Sequence, residues 1–205
     1  MNKIDYYYAP ISGYAYLGEP RLMEIAAKTS VDVHFKPVDI MGVFSALDIV
    51  PPAKQSGARL QYRLLDLKRS AEYYRLPINP KPRHWPVPVE LSARCVYAVS
   101  ELGLDTHGVS FAILSAVYAQ DRDVSDQQEI RQILGELNLD VEQVWDVLWS
   151  DTTARALEQS TQEAIDRGIL GSPTYILNDD EMYFGQDRLY LLEHRLSQRE
   201  QLQGV

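Results

Sequence analysis

The sequence predicts an α/β fold in which a small sheet is split by a long helical insertion. Three observations carry this expectation. The chain opens with a strand–helix–strand pattern, it closes with a strand–strand–helix pattern, and strand signals are scarce between residues 40 and 165. A β-α-β opening and a β-β-α closing are the layout of a thioredoxin-like fold, here with a large all-helical insertion. The boundaries expected are 1–39 and 166–205 for the thioredoxin-like domain and 40–165 for the inserted helical domain.

Each element has its own warrant. Residues 3–9 are aromatic and β-branched and stop at Pro10, as a strand does. Residues 10–13 read as a turn, with Ser12 placed to N-cap a helix running to about Lys28. Tyr16, Leu17, Leu22, Ile25 and Ala26 form the apolar stripe of that helix, interrupted by Pro20. Residues 31–38 alternate apolar and polar, the pattern of a second strand. At the far end, 174–177 and 181–185 read as two strands joined at Asn178-Asp179-Asp180, a hairpin. Leu189, Leu192 and Leu196 then place a helix over about 187–199. Within the insertion, helices are expected over 59–74, 91–102, 107–119, 126–137, 140–149 and 152–167. Gly103 and Gly168 are placed to terminate two of them. Asp140 and Gln143 have the spacing of a capping box, with Asp replacing the usual Ser or Thr. Residues 76–90 carry Pro77, Pro80, Pro82, Pro86 and Pro88, which exclude helix and indicate an extended surface segment.

Composition excludes several classes of function. The chain has 205 residues, with 20 Lys+Arg against 29 Asp+Glu and a net charge of −9. That balance argues against a nucleic-acid partner and against a polybasic membrane contact. A single cysteine, Cys95, rules out an intrachain disulfide and a CxxC site. Its neighbours Val96, Val99 and Leu102 at helical spacing make it a core residue rather than a nucleophile. His34, His84, His107 and His194 show no HxxxH or HExxH spacing, so no metal site is expected. No apolar run approaches the ~18 residues of a membrane helix, and the N-terminus lacks a signal peptide's apolar stretch. A soluble, cytoplasmic protein is expected.

Three segments can carry chemistry. Ser12 sits in the turn after the first strand, where helix N–H groups and the positive end of the helix dipole point outward. It can stabilise a thiolate there, or serve as a plain N-cap. Gly168 to Thr174 places Ser172-Pro173 directly before a strand; a cis bond there would present backbone groups to an extended ligand, whereas a trans proline would merely end a loop. Gln186-Asp187-Arg188 opens the last helix, where Asp187 can accept from an amino group or cap the helix. Tyr6, Tyr7, Tyr8, Tyr14 and Tyr16 crowd the first turn. Of these, Tyr8 and Tyr14, with Trp85, are the candidates for an aromatic substrate pocket. No GxGxxG, Walker A or GxSxG motif is present.

Taken in order, these landmarks resemble the 2-hydroxychromene-2-carboxylate isomerases, relatives of kappa-class glutathione transferases and of DsbA-type thioredoxin folds. The residues that carry the resemblance begin with Asp5 to Tyr8 and with Ser12-Gly13-Tyr14-Ala15-Tyr16-Leu17. They continue through Pro51-Pro52, Tyr62, Asp66-Leu67 and Leu76-Pro77-Ile78, and end with Gly171 to Thr174 and Gly185 to Leu189. The match spans about residues 3 to 197.

The resemblance implies glutathione as cofactor. Ser12 matches the serine that hydrogen-bonds the glutathione sulfur. Ser172, beside an expected cis Pro173, matches the residue whose backbone pairs with the cysteinyl part. Gln186, Asp187 and Arg188 match the segment that holds the γ-glutamyl end, and Arg59 falls near a family lysine. It also implies isomerisation of 2-hydroxychromene-2-carboxylate to trans-o-hydroxybenzylidenepyruvate, in which a thiolate adds to a conjugated double bond, allows rotation and leaves. The expected partners are therefore a small aromatic substrate and, as in relatives, a second copy in a homodimer. The chain departs from the pattern at Gly13, where the family has Pro, at Ala9 for an acidic residue, and at Ile49 for an asparagine. These departures leave two alternatives: a kappa-class-like glutathione transferase, or a non-catalytic thioredoxin-fold binding protein. A DsbA-like oxidoreductase is untenable with one cysteine.

Overall fold

Strand β1 (Lys3–Tyr8) has five buried residues out of six, which marks a central strand covered on both faces. The computed structural model describes residues 2–203, and side chains as far as Arg199. In it β1 lies between β2 (Asp32–Pro37), which runs parallel to it, and β3 (Thr174–Leu177), which runs antiparallel. β4 (Glu181–Phe184) pairs antiparallel with β3 and completes the order β2-β1-β3-β4. The strand periodicity of two sorts the tyrosines by face. Tyr6 and Tyr8 stack on one face at 4.3 Å between ring centroids, with Tyr175 beside Tyr6 at 5.4 Å. Tyr7 points to the other face, where its hydroxyl donates to Glu163.

Helix α1 (Gly13–Thr29) is N-capped by Ser12 and runs through Pro20 without ending there. The proline forfeits one backbone bond, and the buried Leu17, Leu22 and Ile25 on either side hold the helix through packing. A short helix α2 (Ile40–Ala46), absent from the sequence reading, follows β2 and is capped by Asp39. The insertion continues with α3 (Gly57–Tyr74), α4 (Glu90–Glu101), α5 (Thr106–Tyr118), α6 (Gln127–Glu136), α7 (Val141–Leu148) and α8 (Asp151–Asp166). Capping chemistry sets many of these starts: Asp105, Asp126, Asp140 and Ser150 each accept an N–H of the turn that follows. Gly103 and Gly168 both take positive φ after α4 and α8. Residues 76–89 contain no helix. A 3-10 turn, Gln186–Arg188, precedes α9 (Leu189–Gln203).

Helices α1 and α5 cover the Tyr6/Tyr8 face of the sheet, and α8 covers the Tyr7 face. The buried side chains of sheet and insertion merge into one hydrophobic cluster, running from Ile4 and Tyr175 through Leu67 and Val99 to Leu134 and Leu148. Among the described residues, no helix is long and apolar enough to cross a membrane. The Ser172-Pro173 and Trp85-Pro86 bonds are both cis.

Candidate functional site

The first βα turn and the residues before β3 meet at one sheet end. Ser12 Oγ donates to the Ser172 carbonyl at 3.0 Å and accepts from the Ala15 N–H at 3.3 Å. Ser172 Oγ in turn accepts from the Ala9 N–H at 2.9 Å. So the two serines lock the start of α1 against the loop that carries Pro173. The Tyr14 N–H has no protein acceptor among the described residues, the Gly13 N–H meets only the Tyr118 hydroxyl, and the first turn of α1 holds no acid. That is a local preference for negative charge.

Gly13 has a steric reason. A Cβ there would lie 3.0 Å from Leu67 Cδ2 and from the Tyr118 ring. The close approach of α3 and α5 occupies the space a proline ring would need. Gly13 is therefore buried and tightly packed at the start of α1, not a loose turn.

A cavity of 760 Å³ opens beside Ser12, within the range of small-molecule sites. Ser12, Tyr14, Arg59, Trp85 and Ser172 all line it. Trp85 is held there by its indole N–H, which donates to the Ile11 carbonyl at 2.9 Å. The Tyr14 hydroxyl donates to Asp66 at 2.8 Å; burial, reinforced by that carboxylate, holds its phenol well above the usual tyrosine range. The remaining walls are largely apolar, with α2 supplying Ile40 and Phe44. Lys54, Arg59 and Arg63 bring three cations to the lining, and no carboxylate is among its residues. In a chain of net charge −9 that separation of charge marks a site for an anion.

Not every candidate from the sequence reaches the cavity. Tyr8 does not line it: the ring is fully buried in the Tyr6 stack and its hydroxyl is bonded to Ser110 at 2.7 Å. Strand alternation turns Tyr8 under α5, and this corrects its assignment to the substrate pocket. Pro173 is buried directly behind Ser172. Gln186 is also buried, accepting from the Tyr74 hydroxyl at 2.7 Å, while Asp187 and Arg188 pair with each other at 2.8 Å on the surface. These three lie outside the cavity lining, although the Gly185 N–H just before them donates to the Pro173 carbonyl. Cys95 is fully buried and burial pushes its thiol up to about 12, so it is inert.

The sequence reading missed Arg63, Lys54 and α2. For Arg63 a signal was available, since Arg59 and Arg63 stand four apart and share a helix face. A second cavity, of 950 Å³, lies between α8 and residues 87–90. Its one buried cation, Arg94, is saturated by Glu90 and by the Leu148 and Ser150 carbonyls, which leaves it little to offer a ligand.

Comparison with known proteins agrees with this fold. A 2-hydroxychromene-2-carboxylate isomerase of Pseudomonas sp. (strain C18) is 27% identical over 197 residues, covering 93% of this chain and 88% of that protein. A solved 2-hydroxychromene-2-carboxylate isomerase superposes with a TM-score of 0.82 at 22% identity, covering 98% of each chain. The cytosolic disulfide reductase DsbM from Pseudomonas aeruginosa, solved with GSH, gives 0.72 at 18% identity, over 99% of this chain and 100% of that one. The family model of the DSBA-like thioredoxin domain matches residues 3–197, and the chain belongs to that family.

Proposed function

We propose that this protein is a glutathione-dependent isomerase of the 2-hydroxychromene-2-carboxylate type, acting on a small aromatic substrate with a conjugated carbonyl. The observation that carries the proposal is Ser12 Oγ at the N-terminus of α1, facing a cavity with three cations and no carboxylate. The isomerase relatives support the reaction class. Glutathione fits the donor set: a serine hydroxyl and the free Tyr14 N–H at a helix N-terminus suit a thiolate, and cations without carboxylate partners suit carboxylates. When bound, it would supply a thiolate able to add reversibly to a conjugated double bond.

The chain's own residues then have defined tasks. Ser12 turns its hydroxyl hydrogen from the Ser172 carbonyl toward the anion, and the α1 N–H groups add to that field. The freed Ser172 carbonyl becomes an acceptor for a backbone-like N–H. Arg59 offers charge at the exposed rim, and the Gln186-Asp187-Arg188 turn extends the site beyond the cavity. Tyr14 and Trp85 give an aromatic wall that excludes water from the reacting end.

Calorimetric titration with reduced glutathione, on the wild type and on Ser12→Ala, tests this. Saturable binding that the substitution weakens is the expected result. No binding by the wild type would remove glutathione from the mechanism and favour a binding protein that uses the same cavity without a thiol.

A further inference from the structure

We propose that Arg63 is the residue that selects the substrate, receiving the carboxylate of a flat conjugated acid in the fork of its guanidinium. The inference takes the cavity from the proposed function and rests on that reading for the reaction, though not for the binding. Arg63 lies on the cavity side of α3, one turn after Arg59. Its guanidinium carbon stands 5.1 Å from the Tyr14 ring centroid and 5.4 Å from that of Trp85. Both rings are themselves fixed, Tyr14 by Asp66 and Trp85 by the Ile11 carbonyl. The two aromatic faces hold the cation and fix its orientation without using its N–H donors.

No carboxylate takes those donors. Asp66, three residues on along the same helix, accepts from Tyr14 and makes no ion pair with Arg63. Among the described residues Arg63 is the half-buried arginine without a carboxylate partner. Others as sheltered are paired: Arg94 with Glu90, Arg122 with Glu129 and Glu136, and Arg199 with Glu181. At its head one donor meets the Tyr118 hydroxyl, which itself donates to the Ile11 carbonyl, and the others remain for a ligand. A preorganised, partly desolvated fork opening on an apolar cavity matches a carboxylate bidentately, and the aromatic walls match a planar body. Arg59 and Lys54 also line the cavity but are exposed and unheld, so they add general charge rather than geometry.

The test uses trans-cinnamate as the probe acid and cinnamamide as its neutral counterpart, titrated calorimetrically without glutathione. The wild type is expected to prefer the acid by about tenfold or more, the scale of a charge-assisted bidentate contact. In Arg63→Met that preference should vanish through loss of cinnamate affinity, with cinnamamide affinity unchanged. Arg63→Lys should recover only part of the preference, and Arg59→Met should keep most of it. Glutathione titrated separately into wild type and Arg63→Met reports on the proposed function alone. A protein that prefers the acid through Arg63 but ignores glutathione loses the thiol reading and keeps this one. A wild type with no preference for the acid overturns the assignment, and so does an Arg63→Met variant that retains it or an Arg59→Met variant that abolishes it.

Discussion

Ser12 does two jobs with one hydroxyl. Its oxygen caps α1 through the Ala15 N–H, and its hydrogen goes to the Ser172 carbonyl. Ser12→Ala is therefore expected to raise the thiol pKa of bound glutathione by about 1–2 units, the equivalent of a charge-assisted hydrogen bond of roughly 1–3 kcal/mol. Thiolate absorbance followed against pH would measure it, and an unchanged titration would remove Ser12 from that role. Loss of the cap should separately cost about 0.5–2 kcal/mol of stability, read from urea unfolding. Ser12 as the cap of α1 was legible in the sequence because capping is a local property of a strand–turn–helix unit. Arg63 was legible only as a helix-face neighbour of Arg59: its setting comes from Tyr14 and Trp85, which arrive from α1 and from the proline-rich stretch. Tyr8 was misread for the opposite reason. Crowding along the chain suggested a pocket, whereas strand parity carries Tyr8 away from it.

Between elements, close packing sets the tolerances. Gly18 of α1 faces the 3-10 turn before α9, and a Cβ there would stand 2.7 Å from Gln186 Cβ and 2.9 Å from the Tyr175 hydroxyl. Gly18→Ala must push α1 away from that turn, at an expected cost of about 1–3 kcal/mol. Gly135 is the matched control, since it sits in α6 with nothing within 4 Å of the added methyl. Gly135→Ala should stabilise by about 0.4–1 kcal/mol through the helix and the unfolded chain. Thermal unfolding of the two variants should move in opposite directions, and parallel shifts would mean that packing at Gly18 is looser than its contacts indicate. The order of elements was legible because long amphipathic helices and two aromatic strands announce themselves. Helix α2 escaped because seven residues give too little periodicity, and its stability comes from Ile40, Val43 and Phe44 entering the core. Pro20 likewise marks a break that the packing of α1 overrides.

Across the molecule, two ionic ties oppose each other in their response to pH. Under the tyrosine stack, the fully buried Glu19 of α1 accepts from Ser110 at 2.8 Å and Tyr6 at 3.3 Å and meets His107 Nδ1 at 3.1 Å. Burial raises the Glu19 carboxyl, and the hydrogen bond to Glu19 raises the His107 imidazole. Both groups thus bind protons more tightly when folded: the contribution of Glu19 is full below 4.5 and declines as pH rises through its raised value, and that of His107 is full below 6.5 and is lost as pH rises through its raised one. The second tie joins β4 to α9. Arg195 above all, with Tyr183 and Arg199, holds Glu181 down from 4.5 to about 2. A depressed carboxyl contributes above 4.5 and ceases to contribute as pH falls toward about 2. Urea midpoints measured from pH 2 to 9 should therefore decline on both sides. His107→Gln should flatten the limb above 6.5 and leave the acid limb unchanged, whereas Glu181→Gln should do the reverse. Comparing each variant with its parent at the same pH cancels most of the background from the net charge of −9, which His107→Gln keeps and Glu181→Gln reduces by a single charge. An alkaline limb equally steep in His107→Gln would show that the contact between α1 and α5 does not depend on the imidazolium, and that Ser110 and Tyr6 alone suffice to hold Glu19.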